Sequence, residues 1–457
     1  MLTQSIFSKN LDIQQLTPAD ILQQLYELFG CVYLEDNTHP VIAFLPQQYL
    51  LYQSGDCTLF ERINDFTYVK KEDFSNFDNF INITTTPQTD QEKQGFLGGY
   101  IGFIDYNFSV QQNVQNKYKS QPNLFLGKYL SYLKYHQGQW IFYSQEHNPE
   151  YLLNIIKSKL NVDSHDQTIF KLNTPCSARW NKNQYIQSFN AIKNYIKAGD
   201  CYQINLTQEF TAKAQGALIY TAKKFWELTH APYSGYLKIN DFELLSCSPE
   251  LFIEFESNRK ITTKPIKGTM PRYTDPILDE QSKYTLMHSK KDQAENLMIV
   301  DLLRNDLSVY AETGSVKTPK LFNIESFNQV HHMVSEVTAI LKKEVNPFEM
   351  LISALPGGSI TGAPKIRAMQ IIEELEHRPR GAYCGTLGYF NFDGTGSWNI
   401  LIRSIQKYQD DVSIWAGGGI TIASDGDAEY QECFDKVSAL LDLLNTWYQP
   451  KNAQSES

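Results

Sequence analysis

The chain has 457 residues with 42% hydrophobic and 20% charged residues, an ordinary globular composition that excludes a disordered or fibrous protein. Its formal net charge of −10 argues against a nucleic-acid binder that depends on phosphate contacts, so positive charge that binds an anion must be local. Its seven scattered cysteines include no Cys-x-x-Cys pair, which argues against a disulfide framework or a structural zinc site. Without a signal-peptide pattern or a run of about 20 apolar residues, the sequence predicts a cytoplasmic protein with no membrane segment.

The sequence predicts four consecutive regions. Residues 1–160 alternate short apolar runs with turn residues, and residues 161–182 are polar and aperiodic, which indicates a connection. Residues 183–446 carry the clearest patterns, and residues 447–457 form a tail.

The third region begins with the sharpest local signals. Tyr185, Phe189 and Ile192 recur at helical spacing and Gly199 supplies a stop, which predicts a helix. The segment CYQINLTQEF (201–210) alternates apolar and polar residues, which predicts a strand with one solvent-exposed face. Strands are also predicted over 233–263, 384–392, 398–406 and 411–417, and helices over 280–307, 364–376 and 427–446. Runs of strands and runs of helices, without regular alternation, indicate an α+β protein.

Two of the predicted helices carry the same carboxylate spacing. Asp292 and Glu295 stand three residues apart, as do Glu429 and Glu432, which Lys436 follows after one turn. Residues at i and i+3 share a helix face, so each helix presents two carboxylates along one edge. Two such edges facing each other would suit Mg²⁺. Taken alone, this spacing more often marks a charged face in contact with water.

Two glycine-rich segments precede helical patterns: PGGSITGAPK (356–365) and WAGGGIT (415–421). Either could allow close approach of a ligand, and either could be a tight turn. The first nearly matches a P-loop, but Ala363 stands where the phosphate-binding lysine is needed. Nucleotide binding is therefore not supported.

Lys267 in PIKGT and Glu250 in SCSPE lie at the ends of predicted strands. A shielded lysine with a lowered pKa could act as a nucleophile, and a shielded glutamate could act as a general acid. For both residues, a position in contact with water is the commoner alternative.

Taken in order, these motifs resemble the chorismate-utilising enzymes. That family includes anthranilate synthase large subunits, aminodeoxychorismate synthase component I, isochorismate synthases and salicylate synthases. The resemblance covers roughly residues 180–442 and rests on CYQINLTQ, SCSPELF, PIKGTMPR, AENLMIVDLLRND, VHHMVSEV, PGGSITGAPK, YCGTLGY, and AGGGIT with EYQECFDK. It implies an α+β fold of the anthranilate-synthase type, with two antiparallel sheets packed as a sandwich and flanked by helices.

Two positions favour one branch of this family. Members that add water to chorismate carry a lysine general base where this chain has Gln203, so water activation is not expected. Anthranilate-forming members typically read PIAGT, whereas residues 265–269 read PIKGT, which resembles aminodeoxychorismate synthase component I. The resemblance implies amination of chorismate at C4 to 4-amino-4-deoxychorismate, a step toward 4-aminobenzoate and folate. The alternatives are an anthranilate synthase large subunit and a non-catalytic relative that only binds chorismate.

The resemblance also implies the chemical steps. Lys267 would attack C2 of chorismate while Glu250 protonates the departing 4-hydroxyl. Ammonia would then enter at C4 and release the lysine. The chain contains no Gly-x-Cys-x-Gly nucleophile segment of a glutamine amidotransferase, so ammonia is expected from solution or from a separate amidotransferase subunit.

The remaining roles are likewise implied by matching positions. Glu295 and Glu432 would hold Mg²⁺, with Asp292 and Glu429 helping from its outer shell. The expected substrate-binding positions are Arg403, Lys436, Thr269, His332, Thr361, Gly362, Gly417 and Gly419.

Overall fold

The computed structural model describes residues 6–64, 66–71, 80–81, 83, 95–117, 119–160, 169–327 and 330–450. Residues 161–168 of the predicted connection and residues 451–457 of the predicted tail lie outside the described residues. Within the described ranges, no helix is both long enough and apolar enough to cross a bilayer.

Strands and helices alternate irregularly along the described chain. The strands are β1 (Phe7–Leu11), β2 (Val32–Leu34), β3 (Val41–Ala43), β4 (Gln48–Gln53), β5 (Asp56–Arg62), β6 (Tyr68–Lys70), β7 (Gly99–Ile104), β8 (Leu124–Tyr129), β9 (Ser131–His136), β10 (Gln139–Ser144), β11 (Lys171–Leu172), β12 (Ser177–Ala178), β13 (Gln203–Gln215), β14 (Tyr233–Ile239), β15 (Phe242–Ser248), β16 (Leu251–Phe255), β17 (Lys260–Thr263), β18 (Ile266–Pro271), β19 (Lys317–Ser326), β20 (Val330–Ile340), β21 (Gly362–Ala363), β22 (Thr386–Asn391), β23 (Gly396–Asn399), β24 (Ser404–Tyr408) and β25 (Asp411–Ile420). The helices are α1 (Pro18–Gln24), α2 (Tyr106–Val110), α3 (Pro149–Leu160), α4 (Lys182–Ala198), α5 (Ile219–Thr229), α6 (Pro276–Met287), α7 (Lys290–Ser308), α8 (Pro347–Ala354), α9 (Lys365–Glu376), α10 (Gly426–Asp435) and α11 (Ser438–Asn445).

The strands form two large antiparallel sheets. The first sheet runs β1-β10-β9-β3-β2-β14-β15-β24-β25-β13-β11, with β12 and β21 also paired to β13. The second runs β18-β20-β17-β16-β23-β22-β7-β8-β4-β5-β6, with β19 paired to β20. Both sheets combine strands from the predicted regions 1–160 and 183–446, whose boundaries stay predictions. The predicted α+β class with two antiparallel sheets is confirmed.

Aromatic side chains fill the space between the two sheets. Phe103 of the second sheet stacks on Phe242 of the first, with ring centroids 5.1 Å apart. Tyr389 of the second sheet donates a hydrogen bond to Asp36, which follows a strand of the first, at 2.7 Å. Large rings bury much apolar surface for few torsions, so the 27 tyrosines and 26 phenylalanines of the chain suit such a core.

The helix predicted from residue 183 is confirmed, but several other elements differ from expectation. Helix α4 ends at Gly199, which adopts φ +84° and donates its backbone N–H to Ile196. The predicted exposed face of β13 is wrong: every residue from Gln203 to Phe210 is buried, because helices α4 and α9 cover the strand. The predicted helix 280–307 is two helices, since Ser289 caps α7 by accepting a hydrogen bond from the Asp292 backbone N–H at 3.3 Å. The predicted helix 427–446 is likewise two helices, α10 and α11, and the predicted strand 398–406 is divided between β23 and β24.

A buried ion pair joins α9 to the first sheet and to the glycine-rich loop before it. Arg380 donates to Glu376 at 2.7 and 2.8 Å, and both side chains are 1% exposed. Arg380 also donates to the carbonyls of Ile360 and Asn205, at 3.0 and 2.8 Å. Glu376 accepts from the backbone N–H and hydroxyl of Thr207, at 3.0 and 2.7 Å. The loop, the strand and the helix therefore share one anchor.

We expect Glu376→Gln to lower the free energy of unfolding by about 3–5 kcal/mol, because Arg380 would keep a buried charge without a counter-ion. Urea denaturation monitored by circular dichroism measures this change. The matched control is Glu280→Gln, which removes an exposed partner of Lys283 at 3.9 Å and should cost about 0–1 kcal/mol. Equal effects of the two substitutions would contradict the anchoring role.

Candidate active site

The predicted site residues lie where the ends of the two sheets meet helices α7 and α10. Strands β18 and β20 of the second sheet supply Lys267, Thr269 and His332, and β25 of the first supplies Gly417 and Gly419. Glu250 lies in the turn between β15 and β16, and Arg403 directly precedes β24. Helix α7 carries Asp292 and Glu295, and α10 with its C-cap carries Glu429, Glu432 and Lys436.

The Lys267 side chain is surrounded by charged groups, but its amine forms no hydrogen bond or ion pair within the described ranges. Burial lowers its pKa, and the nearby ammonium of Lys436 lowers that pKa further. Three carboxylates act in the opposite direction: Glu295, Glu250 and Glu432. The net effect is a lowered pKa, which raises the share of neutral amine, the form that can act as a nucleophile, above that of an ordinary lysine.

Glu250 is 8% exposed and faces Lys267. Burial raises the pKa of its carboxyl to about 7, although Lys267, Arg403 and Lys436 each act to lower it. A carboxylic acid that titrates near neutral pH can hold and release a proton there. Glu250 and Lys267 thus have pKa values shifted toward each other, as an acid and a nucleophile in one site require.

Arg403 is held in a strained conformation beside this pair. Its backbone adopts φ +50°, and its carbonyl accepts a hydrogen bond from Cys247 at 3.1 Å. A non-glycine residue in the left-handed region costs of order 1–3 kcal/mol and is often found at ligand sites. Within the described residues, its partly buried guanidinium has no hydrogen-bond or ion-pair partner. This donor fork suits a carboxylate of a ligand.

Thr269 and His332 form a cross-strand pair. The Thr269 hydroxyl and Nδ1 of His332 are 2.8 Å apart, and the two residues are direct neighbours in the β18–β20 ladder. Burial, together with the nearby charge of Arg403, lowers the pKa of His332 to about 4. The imidazole is therefore neutral near pH 7 and offers a hydrogen bond without charge.

The carboxylates of α10 pack directly on β25. A Cβ atom at Gly418 would lie 2.9 Å from Oε2 of Glu429 and 3.0 Å from Oε1 of Glu432, so only glycine permits this approach. Burial raises the pKa of Glu429, and the adjacent Glu432 raises it further. Burial opposes ionisation of Glu432 as well, but Lys436, 2.6 Å away, holds its pKa below the usual value.

Helices α7 and α10 each place acidic side chains near Lys291. Lys291 of α7 lies 4.0 Å from Glu295, and its charge also acts on Glu429 and Glu432 of α10. Among the described residues, no three acidic, histidine or cysteine side chains converge as a preformed metal site. Mg²⁺ usually takes one or two protein carboxylates and completes its shell with water and ligand oxygens, so the donor chemistry fits.

The predicted glycine-rich positions border the same region. The Lys436 ammonium donates to the Gly417 carbonyl at 2.8 Å. Thr361 is fully buried and accepts a hydrogen bond from the Asn205 backbone at 2.8 Å, and Gly362 pairs with Ile204 in β13. The two loops thus meet across β13, one on each side.

Sequence reasoning missed two groups that shape the site. The sequence drew attention to Gln203 only because a lysine is absent at that position. In the structure this side chain is 1% exposed, and neither of its amide atoms has a hydrogen-bond partner among the described residues. It lies against Gly419, with its Cδ 2.8 Å from the place of a Cβ there. It also missed the ion pair of Glu376 and Arg380, whose i,i+4 spacing was the only available signal.

The chain is similar to a known protein family and to curated members of that family. Residues 30–442 match the family described as chorismate binding enzyme. The chain is 39% identical over 363 residues to aminodeoxychorismate synthase component 1 of Salmonella typhimurium, covering 78% of this chain and 79% of that protein. It is 33% identical over 401 residues to anthranilate synthase component 1 of Bacillus subtilis, covering 80% and 77%.

A solved structure shows the same fold. The crystal structure of anthranilate synthase component I from Streptococcus pneumoniae superposes with a TM-score of 0.75 at 25% identity, covering 88% of this chain and 92% of that one. The family match spans most of the chain, including every residue placed in the site. The chain therefore belongs to the chorismate-binding enzyme family.

Proposed function

We propose that this protein aminates chorismate at C4 with ammonia to give 4-amino-4-deoxychorismate, a step toward 4-aminobenzoate and folate. The observation that carries the proposal is Lys267, an amine without a hydrogen-bond or ion-pair partner among the described residues that faces the buried acid Glu250. The relatives named aminodeoxychorismate synthase component 1 support the same reaction. Incubation with chorismate, Mg²⁺, ammonium salt and a lyase that releases 4-aminobenzoate, followed by chromatography, tests it.

In the proposed first step, the neutral amine of Lys267 forms a bond to C2 of chorismate, the ring double bonds shift toward C4 and the C4–O bond breaks. Glu250 gives its proton to the leaving hydroxyl, which departs as water. Ammonia then forms a bond to C4, the ring double bonds shift back, the bond between C2 and the lysine nitrogen breaks, and the amine is released. Two displacements replace one difficult substitution, which is the physical advantage of a covalent intermediate.

The cationic side chains of the site suit the two carboxylates of chorismate. Arg403 offers an unpaired fork to the enolpyruvyl carboxylate, and Lys436 adds a second positive charge nearby. Glu295 and Glu432 would hold Mg²⁺, with Asp292 and Glu429 supporting them. When bound, Mg²⁺ would neutralise the ring carboxylate.

The proposed nucleophile is ammonia and not water. Gln203 is a buried neutral amide, which cannot remove a proton from water as a lysine could. The designation component 1 implies a partner component for the relatives, and we propose a glutamine amidotransferase subunit as the source of ammonia here.

Anthranilate synthesis is the second candidate, because the Bacillus subtilis relative bears that name. It requires amination at C2, the carbon that Lys267 would occupy. The identity of the product separates the two candidates directly.

We expect Lys267→Ala to abolish the C4 product, since the nucleophile is gone, and to shift any residual amination to C2. Lys267→Arg should be equally inactive, because a guanidinium is not deprotonated in proteins. Chromatography of the products measures both effects, with Lys264→Ala as a nearby control outside the site. A Lys267→Ala protein that makes 4-amino-4-deoxychorismate at the wild-type rate would refute the role of Lys267.

The raised pKa of Glu250 has a consequence for stability. The ordinary pKa of this carboxyl is 4.5, and its pKa in the folded protein is about 7. Between these pH values the unfolded carboxyl is ionised while the folded one holds its proton, so the free energy of unfolding falls as pH rises. Relative to Glu250→Gln, the free energy of unfolding of the wild type should fall by roughly 3 kcal/mol between about pH 4.5 and about pH 7. Urea unfolding at both pH values measures the difference. A constant difference would show that Glu250 does not titrate near neutral pH.

We expect Glu432→Gln and Glu295→Gln each to abolish turnover while the protein stays folded. The two residues lie on different helices, so neither one replaces the other as a ligand. Activity across a Mg²⁺ titration measures the loss, and circular dichroism checks folding. Asp435→Asn, an exposed change on α10, is the control and should keep activity. Activity that resists a chelator would disprove the metal assignment.

A further inference from the structure

The connection between β25 and α10, residues 421–425, is held by a lysine from another helix. Lys193 of α4 directs its ammonium at three backbone carbonyls, donating to Ser424 at 3.1 Å, to Thr421 at 3.5 Å and to Ile422 at short range. An ammonium has three donors, and here all three are used by carbonyl oxygens. The same ammonium lies 5.7 Å from the centre of the Phe189 ring, so it sits between an aromatic face and a carbonyl cradle.

This connection sets the position of the α10 carboxylates. Ser424 closes the turn by accepting a hydrogen bond from the Thr421 backbone at 3.0 Å, and its hydroxyl also hydrogen-bonds Glu429. Asp425 then caps α10 by accepting from the backbone N–H groups of Asp427 and Ala428, at 3.1 and 3.0 Å. A shift of the connection would therefore move two carboxylates away from the sheet: Glu429 and, one turn further along α10, Glu432.

Other contacts between α4 and α10 cannot fix the carbonyls. Tyr185 and Tyr430 pack with ring centroids 5.4 Å apart, but this contact is apolar and is not directed at the connection. Lys182 pairs with Asp427 at 2.9 Å, but both side chains are more than half exposed, so the pair adds little. Lys193 supplies the charged hydrogen bonds, which are about twice as strong as neutral ones.

We propose that Lys193 is a positioning residue for the α10 carboxylates, acting as a tethered cation in a cradle of the Thr421, Ile422 and Ser424 carbonyls. A free alkylammonium ion can fill the same cradle when the lysine side chain is removed. The cradle itself is independent of the proposed function. Only its effect on metal binding rests on the assignment of Glu432 and Glu429.

Three variants of the full chain separate the effect of the ammonium charge from the effects of side-chain volume and of position on α4. Lys193→Met removes the ammonium and keeps a linear stem beside Phe189, whereas Lys193→Ala leaves the cradle open. Lys197→Ala, one turn along the exposed side of α4, is the matched control. The first readout is hydrogen exchange of residues 421–435 by mass spectrometry. The second is Mn²⁺ binding by electron paramagnetic resonance, which needs no turnover and no ammonia.

Loss of the charged hydrogen bonds should speed exchange in this segment about tenfold in Lys193→Met and Lys193→Ala, and weaken Mn²⁺ binding by about the same factor. Methylammonium chloride should restore both readouts in Lys193→Ala but not in Lys193→Met, whose side chain fills the cradle. Sodium chloride at equal concentration should restore neither. Lys197→Ala should match the wild type throughout.

Unchanged exchange of 421–435 in Lys193→Met would overturn the proposal. Faster exchange with Mn²⁺ binding intact would overturn the link to the carboxylates. A wild-type protein that does not bind Mn²⁺ would instead overturn the metal assignment, and hydrogen exchange with methylammonium rescue would still decide the cradle. If Lys193→Ala fails to fold, Lys193→Met, with its side-chain volume kept, decides by exchange alone.

Discussion

The geometry of the site depends on the buried ion pair between Arg380 and Glu376. Charges removed from water need their hydrogen bonds supplied by the protein, and these come from backbone atoms of Ile360, Asn205 and Thr207. The face of the guanidinium is covered by the Tyr106 ring at 4.6 Å. The glycine-rich loop and β13 are thus fixed to the same charge, and both flank the region where the candidate residues meet.

Positive charge is local in this acidic chain. The net charge is −10, yet Lys267, Arg403 and Lys436 lie close enough to act on the same carboxyl, that of Glu250. Lys436 pairs with Glu432, whereas the Lys267 amine and the Arg403 guanidinium have no hydrogen-bond or ion-pair partner among the described residues. Their separate roles follow from their chemistry. An amine can lose its proton when it is buried, whereas a guanidinium stays charged and binds.

Contacts with β25, with α7 and with the connection before α10 set the position and the charge state of the α10 carboxylates. Gly418 lets Glu429 and Glu432 approach β25, and Lys291 extends from α7 toward the same acids. The connection that precedes α10 is held from behind by Lys193. The candidate metal position is therefore built on the relative placement of two helices and one strand, and a change in any of them alters the distance between the acidic edges.

Sequence alone determined the α+β class, the confirmed helix ending at Gly199, and the family, because ordered motifs and a glycine stop are local features. It also selected Lys267 and Glu250 as candidates, but it left open whether their side chains are shielded or in contact with water. It missed the burial of both faces of β13 from Gln203 to Phe210, and it missed the cradle around Lys193. Those depend on which helices cover a strand and which carbonyls a distant lysine reaches. Burial, charge proximity and strain at Arg403 arise only when segments far apart in the chain pack together, and this packing was decided by the tertiary structure.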